Sequence, residues 1–157
     1  MQPFTKGQII PLDGIVLPIR FQWNPREING PTASATYATL ATAGREFPFI
    51  EYSHGQQSSI RFDLEYSTQS DNGAMVKANY LALNMLTKPI SRGASLKRPP
   101  LVMLILGNFL RERCCITEVI PNFSRTFDND TLLPHHAKIS INMWRVPLLD
   151  SLVGGLL

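Results

Sequence analysis

The sequence predicts an α+β domain that is mainly β: an antiparallel sandwich or half-open barrel of about six strands, with one helix packed against it. Three stretches lead to this class. Ser59–Ser67 alternates strictly between apolar and polar residues, Leu101–Leu106 is an unbroken apolar run, and Ala74–Thr87 has apolar residues at helical spacing. Strict alternation predicts a half-buried strand, whereas helical spacing predicts an amphipathic helix beside the strands.

The strand predicted at Ser59–Ser67 has two chemically different faces. The face expected to point to the core consists of Ile60, Phe62, Leu64 and Tyr66. The opposite face consists of Arg61, Asp63, Glu65 and Ser67. Because Arg61 lies beside the two carboxylates, this face predicts a solvated or interfacial strip rather than a catalytic carboxylate pair.

The stretch Pro99–Val146 carries the largest share of the predicted sheet. Leu101–Leu106 is too short to cross a membrane and predicts a strand buried on both faces. A long hairpin should follow, with strands at Cys114–Phe127 and Ala137–Val146 and a turn at Asp128–Asp130. The apolar face of the last strand consists of Ala137, Ile139, Ile141 and Met143.

The helix predicted at Ala74–Thr87 is stopped by Pro89. Asp71 or Asn72 is the expected N-cap, because a side-chain oxygen at this position accepts hydrogen bonds from the first free amides of a helix. The residues expected to face the core are Met75, Ala78, Ala82, Met85 and Leu86.

The remaining segments have weaker patterns, and all of them are expected to belong to one domain spanning residues 1–157. Strands are expected at Gly14–Trp23 and at Phe47–Tyr52. Asn24–Glu46 is rich in Thr and Ala and predicts a long loop, with at most a short helix at 33–43. Met1–Asp13 is expected to be an extended N-terminal arm.

The composition narrows the classes of function. A chain of 157 residues is long enough to bury a real core. Only 17% of the residues are charged, a low share that suits a subunit largely covered by neighbours. The net charge of +3 is too small to argue for nucleic-acid binding. Two Cys without a recognisable export signal indicate reduced thiols in a cytosol.

The sequence predicts neither metal binding nor catalysis. The pairs Cys114-Cys115 and His135-His136 invite a zinc site, but adjacent strand residues point to opposite faces. The C-x-x-C and H-x-x-x-H spacings of zinc sites are absent from the sequence. A hydrolase needs a nucleophile, a base and an orienting acid, and no G-x-S-x-G motif occurs. We therefore expect no cofactor, no metal and no enzymatic activity.

Several short motifs, taken in order, resemble those of contractile injection system tube proteins. FQWNP at Phe21–Pro25 resembles the family's N-P after the first strand, and PPLVMLILGN at Pro99–Asn108 resembles its P-P-x-hydrophobic-W-G strand. In the hairpin, the fitting positions are Thr117, Val119, Phe127, Pro134 and Ala137. Leu106 replaces the family's Trp, His136 replaces its Arg, and no Gly follows the hairpin turn. The chain is thus similar to the N-terminal domain of phage tail-tube and tube-initiator, or baseplate hub, proteins without their LysM module.

The resemblance implies a structural role in a virion tail or an injection machine. It implies a ring, usually a hexamer, in which adjoining copies continue one sheet around a central channel for DNA or another cargo. Neighbouring tail tube, hub or baseplate proteins would be the other partners, and assembly would take place in the cytoplasm of the host bacterium. The alternatives are a baseplate wedge or adaptor protein that does not itself form the tube and, more distantly, a small-molecule-binding β-barrel.

Two sets of residues are expected to serve this assembly. The long hairpin should pair between subunits, because unpaired strand edges need a partner or a cover. Its interface residues would be Thr117, Val119, Phe127, Ile139 and Ile141. Arg61, Asp63 and Glu65 should face the channel or a seam between subunits, since the opposite face of their strand is wholly apolar.

The C-terminal segment Leu148–Leu157 is expected to be a docking tail. Its ten residues are too few to span a bilayer, so no membrane insertion is predicted. Six of them are large and apolar: Leu148, Leu149, Leu152, Val153, Leu156 and Leu157. Because such a patch is rarely left exposed, the tail should either fold back on its own domain or reach a neighbouring protein.

Overall fold

The computed structural model describes residues 5–13, 16–69, 73–89, 98–124 and 126–147. This part of the chain is mainly antiparallel β structure with a single helix, which confirms the predicted fold class, and its strands do not close into a barrel. The predicted docking tail lies outside the described residues. In chain order the elements are β1 (Gln8–Pro11), β2 (Ile19–Arg20), β3 (Ile28–Asn29), β4 (Ala35–Leu40), β5 (Phe49–Gly55), β6 (Ser59–Ser67), α1 (Ala74–Met85), β7 (Leu101–Leu106), β8 (Leu110–Phe123) and β9 (His136–Arg145).

Seven strands form one antiparallel sheet in the order β2-β1-β7-β8-β9-β6-β3. Within it, β9 is paired along nearly its whole length on both sides, with β6 and with β8. The two edge strands, β2 and β3, have only two residues each. The other two strands, β4 and β5, pair with each other in a separate hairpin. The longest strand pairings of the sheet are therefore those among three adjacent strands, β8, β9 and β6.

The hydrophobic core lies on one face of this sheet. The apolar sets predicted in β6 and β9 are confirmed, since all eight of their residues are buried: Ile60, Phe62, Leu64, Tyr66, Ala137, Ile139, Ile141 and Met143. Helix α1 covers this face together with residues that precede β3. Among the latter, the ring of Phe21 lies 5.8 Å from that of Phe62.

A β-bulge at Thr117 changes which residues of β8 face the core. Ile116 is opposite Met143 and Glu118 is opposite Asn142, so Thr117 is an extra residue without a partner of its own in β9. Its hydroxyl donates instead to the carbonyl oxygen of Asn142. After the bulge the core-facing positions of β8 fall at odd numbers instead of even ones.

The strand β7 differs from its prediction. Leu101–Leu106 forms a strand, but only Val102 and Leu104 are fully buried. The alternate residues, Leu101, Met103 and Ile105, are half-buried, because the described elements cover only one face of the sheet here. The apolar run therefore predicted the position of the strand correctly, but the prediction that both of its faces are buried is wrong.

Three weakly patterned segments also differ from their predictions. Gln8–Pro11 is not a free arm but strand β1, with Ile9 fully buried between β2 and β7. Ala35–Leu40 is a strand rather than a loop or helix. Only Ile19–Arg20 is a strand within the described part of Gly14–Trp23. In each case the pairing partner lies outside the segment, where local sequence patterns carry no information.

Helix α1 begins after Gly73, which is its N-cap. Gly73 has a φ of 82°, and a Cβ at this position would lie 2.6 Å from the carbonyl oxygen of Pro134. A glycine is therefore required by both the backbone conformation and the close approach. No side chain caps the helix through a hydrogen bond, and the expected caps, Asp71 and Asn72, lie outside the described residues.

The helix is apolar on two sides. Val76, Leu83 and Leu86 are fully buried against the sheet. Along the solvent side runs a second apolar row, here called the helix stripe, which consists of Ala74, Ala78, Leu81 and Met85. The prediction that Ala78 and Met85 face the core is wrong. The helix has two apolar rows, and the spacing of apolar residues cannot show which of the two packs on the sheet.

The buried hydroxyl of Tyr66 leads to a prediction about the stability of the core. This side chain is 1% exposed, and its oxygen has no hydrogen-bond partner among the described residues. Burial also raises the pKa of Tyr66. Because an unsatisfied buried hydroxyl is costly, Tyr66→Phe should raise the free energy of unfolding by about 1 kcal/mol. Urea unfolding measures the change, with the exposed Tyr52→Phe as a control expected to alter little. A loss of stability confined to Tyr66→Phe would contradict the assignment.

Candidate functional site

The face of the sheet opposite the core carries the predicted strip of Arg61, Asp63 and Glu65. Because side chains alternate along a strand, these residues share their face with alternate residues of the neighbouring strands. Those neighbours are Lys138, Ser140 and Asn142 of β9 and Glu118 of β8. We call this surface the open face.

Hydrogen bonds cross the open face from strand to strand. Arg61 Nε donates to Asn142 Oδ1 at 2.6 Å, and Asn142 Nδ2 donates to Glu118 Oε2 at 2.6 Å, so one line of side chains spans β6, β9 and β8. A second group centres on Asp63, whose Oδ1 accepts from Ser140 Oγ at 2.6 Å and whose Oδ2 lies 2.9 Å from Lys138 Nζ. This part of the face is therefore an ordered array of charged and polar side chains that bond to one another.

The charges of this region are balanced. Arg26 lies 3.8 Å from Glu65, in a solvent-exposed pair that contributes little to stability. Positive and negative side chains occur in equal number in this group, which consists of Arg26, Arg61, Lys138, Asp63, Glu65 and Glu118. Farther along the same face of β8, Arg111 and Arg113 add two cations, so the balance holds for this group of six and not for the whole open face.

The outer edge of β6 is bonded at both ends and open in the middle. At one end, the Gln22 side chain donates to Ser67 O at 2.6 Å and accepts from Ser67 N at 2.7 Å. At the other end, Thr32 binds the backbone N–H and C=O of Ser59, and β3 pairs beside it. Since backbone groups alternate in direction along a strand, those of Asp63 and Glu65 point to the same edge. The pairing of Ile28 with Phe62 bonds the N–H of Asp63 to the carbonyl oxygen of Glu27, whereas the N–H and C=O of Glu65 have no partner among the described residues.

This open edge lies in a groove. The groove has a volume of about 750 Å³ and runs between β6 and the connection from β2 to β3. The connection contributes Trp23, Asn24, Pro25, Arg26 and Glu27 to its lining, β3 contributes Asn29, and β6 contributes Arg61, Phe62, Asp63, Glu65 and Ser67. An extended segment of another chain therefore has both space and unpaired backbone partners at this position.

A second open edge belongs to β8. Its pairing with β7 ends at Cys115, and Val119–Phe123 continues along β9 with no described strand on its other side. The backbone groups of Val119, Pro121 and Phe123 point to this outer side, because Ile120 and Asn122 face β9. Pro121 has no N–H, so this edge offers fewer donors than an ordinary one.

The predicted hairpin residues occupy different environments. Ile139 and Ile141 are fully buried in the core, on a strand whose backbone is paired on both sides within the chain. Thr117 is the bulge residue, Val119 is half-buried beside the core, and Phe127 is exposed at a bridge to Pro134. Pairing between subunits stays a prediction, and the outer edge that this geometry leaves for it is Val119–Phe123.

The cysteines and histidines suggested as metal ligands are not brought together. Cys114 is buried in the core, where burial raises the pKa of its thiol to about 12. Cys115 is on the opposite face, across from Trp144. His136 Nδ1 lies 2.7 Å from Ser124 Oγ. Within the described ranges there is no group of three or more side chains that could hold a metal ion.

The sequence patterns did not indicate the exposed hairpin of β4 and β5. All of its strand residues except Thr36 are exposed, yet Tyr37 and Tyr52 pack edge to face at 5.9 Å across the two strands. Arg45, in the turn region, lies 3.9 Å above the ring of Phe49. A signal existed in the aromatic residues of FPFIEY, but their exposure followed only from the structure.

The comparisons with known proteins identify no family for this chain. A scan against protein-family models found no matching family, and a search of curated proteins found no match. In the part of the chain that the structure describes, no helix is both long and apolar enough to traverse a bilayer. The similarity to tube proteins therefore rests on the motifs quoted above.

The hydrogen bonds of Asp63 generate a prediction about acid stability. The bond from Ser140, followed by that from Lys138, lowers the pKa of this carboxyl below its ordinary value of 3.8. A lowered folded-state pKa contributes stability above the ordinary value and loses it as the pH falls through the folded one. We expect Asp63→Asn to flatten the decline in stability below about pH 4, by a small amount because the side chain is partly exposed.

Unfolding free energies measured between pH 5 and pH 2 check this prediction, with Asn122→Ala as a control that leaves the slope unchanged. Ser140→Ala should raise the pKa of Asp63 toward its ordinary value, as followed by NMR titration of the carboxyl carbon. An unchanged titration in Ser140→Ala would contradict the assigned cause.

Proposed function

We propose that this protein is a structural subunit of a phage tail or of a phage-like injection machine, in which identical copies form or cap a ring around a channel for DNA or another cargo. Three features support this proposal: the ordered resemblance of motifs to tube proteins, the mainly antiparallel β fold, and strand edges left open in the sheet. The last of these carries the argument.

At the level of Ser140 the described sheet is narrowest and has an open edge on each side. Opposite Ser140 of β9, the described sheet is three strands wide, with Asp63 of β6 on one side and Ile120 of β8 on the other. The two open edges thus lie at the same level of one sheet. Two different edges that meet between copies make a heterologous contact, which closes into a ring when the rotation fits.

The direction of the strands sets the geometry of that contact. β6 and β8 are each antiparallel to β9, so they run parallel to each other. Rotation about a channel axis preserves strand direction, and β6 of one copy would therefore form a parallel pair with β8 of the next. Pro121 contributes only its carbonyl oxygen to such a pair, which limits the registers that satisfy both edges.

The open face suits the lining of a channel. DNA adheres to surfaces where lysine and arginine displace its counterions, and passage through a channel requires weak adhesion. The balanced charges of the group around Arg61 and Asp63, held in place by bonds such as Arg61–Asn142 and Lys138–Asp63, meet this requirement. Arg61, Asp63 and Glu65 would accordingly face the channel, with the groove beside Glu65 at the seam.

A second candidate is a baseplate wedge or an adaptor that caps the tail without forming the tube. Pro121 favours this alternative, because an edge that lacks a donor is a common device against continued strand pairing. The small-molecule-binding β-barrel has less support, since the described strands form an open sheet with β2 and β3 at opposite edges.

A proline at the open edge tests the proposal. Glu65→Pro removes one outward N–H without removing a bond to β9, so assembly should weaken at least tenfold while the monomer stays folded. Glu65→Gln keeps the N–H and is the matched control for the lost charge. Sedimentation velocity gives the assembly state, negative-stain images show the rings, and circular dichroism reports the monomer. Rings of equal number in Glu65→Pro, or a wild-type chain that stays monomeric at high concentration, would refute the proposal.

A further inference from the structure

An apolar surface lies on the open face, beside the charged group around Arg61 and Asp63. In the register of the sheet, Met103 of β7 is opposite Ile10 of β1 on one side and Arg113 of β8 on the other. Its apolar side chains come from four adjacent strands and from the residue after β9: Ile10, Leu101, Met103, Ile105, Cys115, Trp144 and Val146. All of them are half-buried except Trp144, which is 51% exposed. We call this surface the apolar patch.

The apolar patch has no cover among the described elements. Helix α1 packs on the opposite face of the sheet, and no described helix or strand packs on this one. Because a contiguous apolar surface is rarely left exposed, another segment or a partner should occupy it.

The described chain ends beside this patch. Val146 N–H donates to Arg113 O at 2.8 Å, which extends the pairing of β9 with β8 by one residue. Pro147 is the last described residue and has no N–H for a further bond. Ten residues follow it in the sequence, and an extended segment of that length reaches up to about 35 Å. From β8 to β1 the patch spans two strand spacings, or roughly 10 Å, so residues 148–157 are long enough to cross it.

The composition of residues 148–157 fits the patch. Six of these ten residues are large and apolar, and Asp150 is the one charged residue among them. Beside the apolar side chains, Arg113 has a buried Nε without a hydrogen-bond partner among the described residues. Glu112 points to the other face and pairs with Arg145 at 2.8 Å, so it does not satisfy this group. Asp150 follows Val146 by four residues, at most about 14 Å of chain, which brings its carboxylate within reach of Arg113.

The segment 90–97, which precedes β7 and also lies outside the described residues, fits the patch less well. It contains two large apolar residues, Ile90 and Leu96, and two cations, Arg92 and Lys97, without an acidic residue. The cations already present at the patch would repel it, because like charges disfavour contact.

We infer that residues 148–157 fold back across the open face of their own copy, with their large apolar side chains on the apolar patch and Asp150 at Arg113. Their own copy is the partner because attachment beside the patch holds the segment there at an effective concentration on the order of millimolar. Of the two outcomes expected for the docking tail, this is the contact within its own domain. The inference concerns a single copy and does not rest on the formation of rings.

Photo-crosslinking of the full chain tests where the segment lies. A benzophenone amino acid replaces Leu152, and mixed isotopically light and heavy copies distinguish links within one chain from links between chains. We expect links within one chain to residues 8–12 and 101–105. In the control the same amino acid replaces Leu132, which is 74% exposed in the turn at the far end of the hairpin, and these links should be absent. Links from position 152 only to α1, to the hairpin of β4 and β5 or to another copy would overturn the inference.

The two cysteines provide an independent measurement, because Cys115 lies on the patch and Cys114 is buried in the core. The double variant Leu149→Ser with Leu152→Ser should uncover the patch and raise the rate of Cys115 alkylation by iodoacetamide by about threefold or more. Peptide mass spectrometry at low protein concentration follows both thiols.

An unreactive Cys114 in this variant shows that the domain stays folded, and Leu132→Ser is the control for the loss of a leucine elsewhere. An unchanged rate at Cys115 would contradict the contact. Since neither measurement requires assembly, this inference and the proposed ring can fail independently.

Discussion

The two-sided pairing of β9 is the constraint on which the rest of the structure depends. With β6 and β8 bonded along both of its edges, this strand has its register fixed twice, and its four apolar side chains fill the centre of the core. A one-residue slip against either neighbour would turn Ile139 and Ile141 to solvent. The same register places Lys138, Ser140 and Asn142 on the open face, so core and surface are specified by one set of backbone bonds.

The sequence predicted the elements whose signal is local and periodic. β6, β9 and the helix were found because alternation or helical spacing repeats over many residues, and the fold class followed from them. β1 and β4 were missed because short strands of mixed composition become strands through partners elsewhere in the chain. The burial of β7 was overstated because an apolar run cannot show that one face of its sheet lacks a covering layer.

Some features of the candidate site could likewise be predicted from local sequence patterns, and others could not. The polar strip of β6 follows from alternation, and its residues lie together on the open face as a single strand requires. The groove and the two open edges depend on where β3 and β7 stop, which no local pattern contains. The hydrogen bonds across the face, such as that from Ser140 to Asp63, depend on a register set by residues about 77 positions apart.

The bulge at Thr117 determines which later residues of β8 face the core side, which lie on the open face and which direct backbone groups to the outer edge. Upstream of it, Cys114 and Ile116 are buried in the core; downstream, the residues on the core side of the sheet are Val119 and Pro121, which are half-buried, and Phe123, which is exposed. If Thr117 were instead paired with Asn142 in a regular ladder, every later position of β8 would shift by one and its two surfaces would be exchanged. Glu118 and Asn122 would then enter the apolar interior, and the outward carbonyl of Pro121 would be replaced by a different pattern of donors. One unpaired residue thus keeps interior, surface and edge in phase.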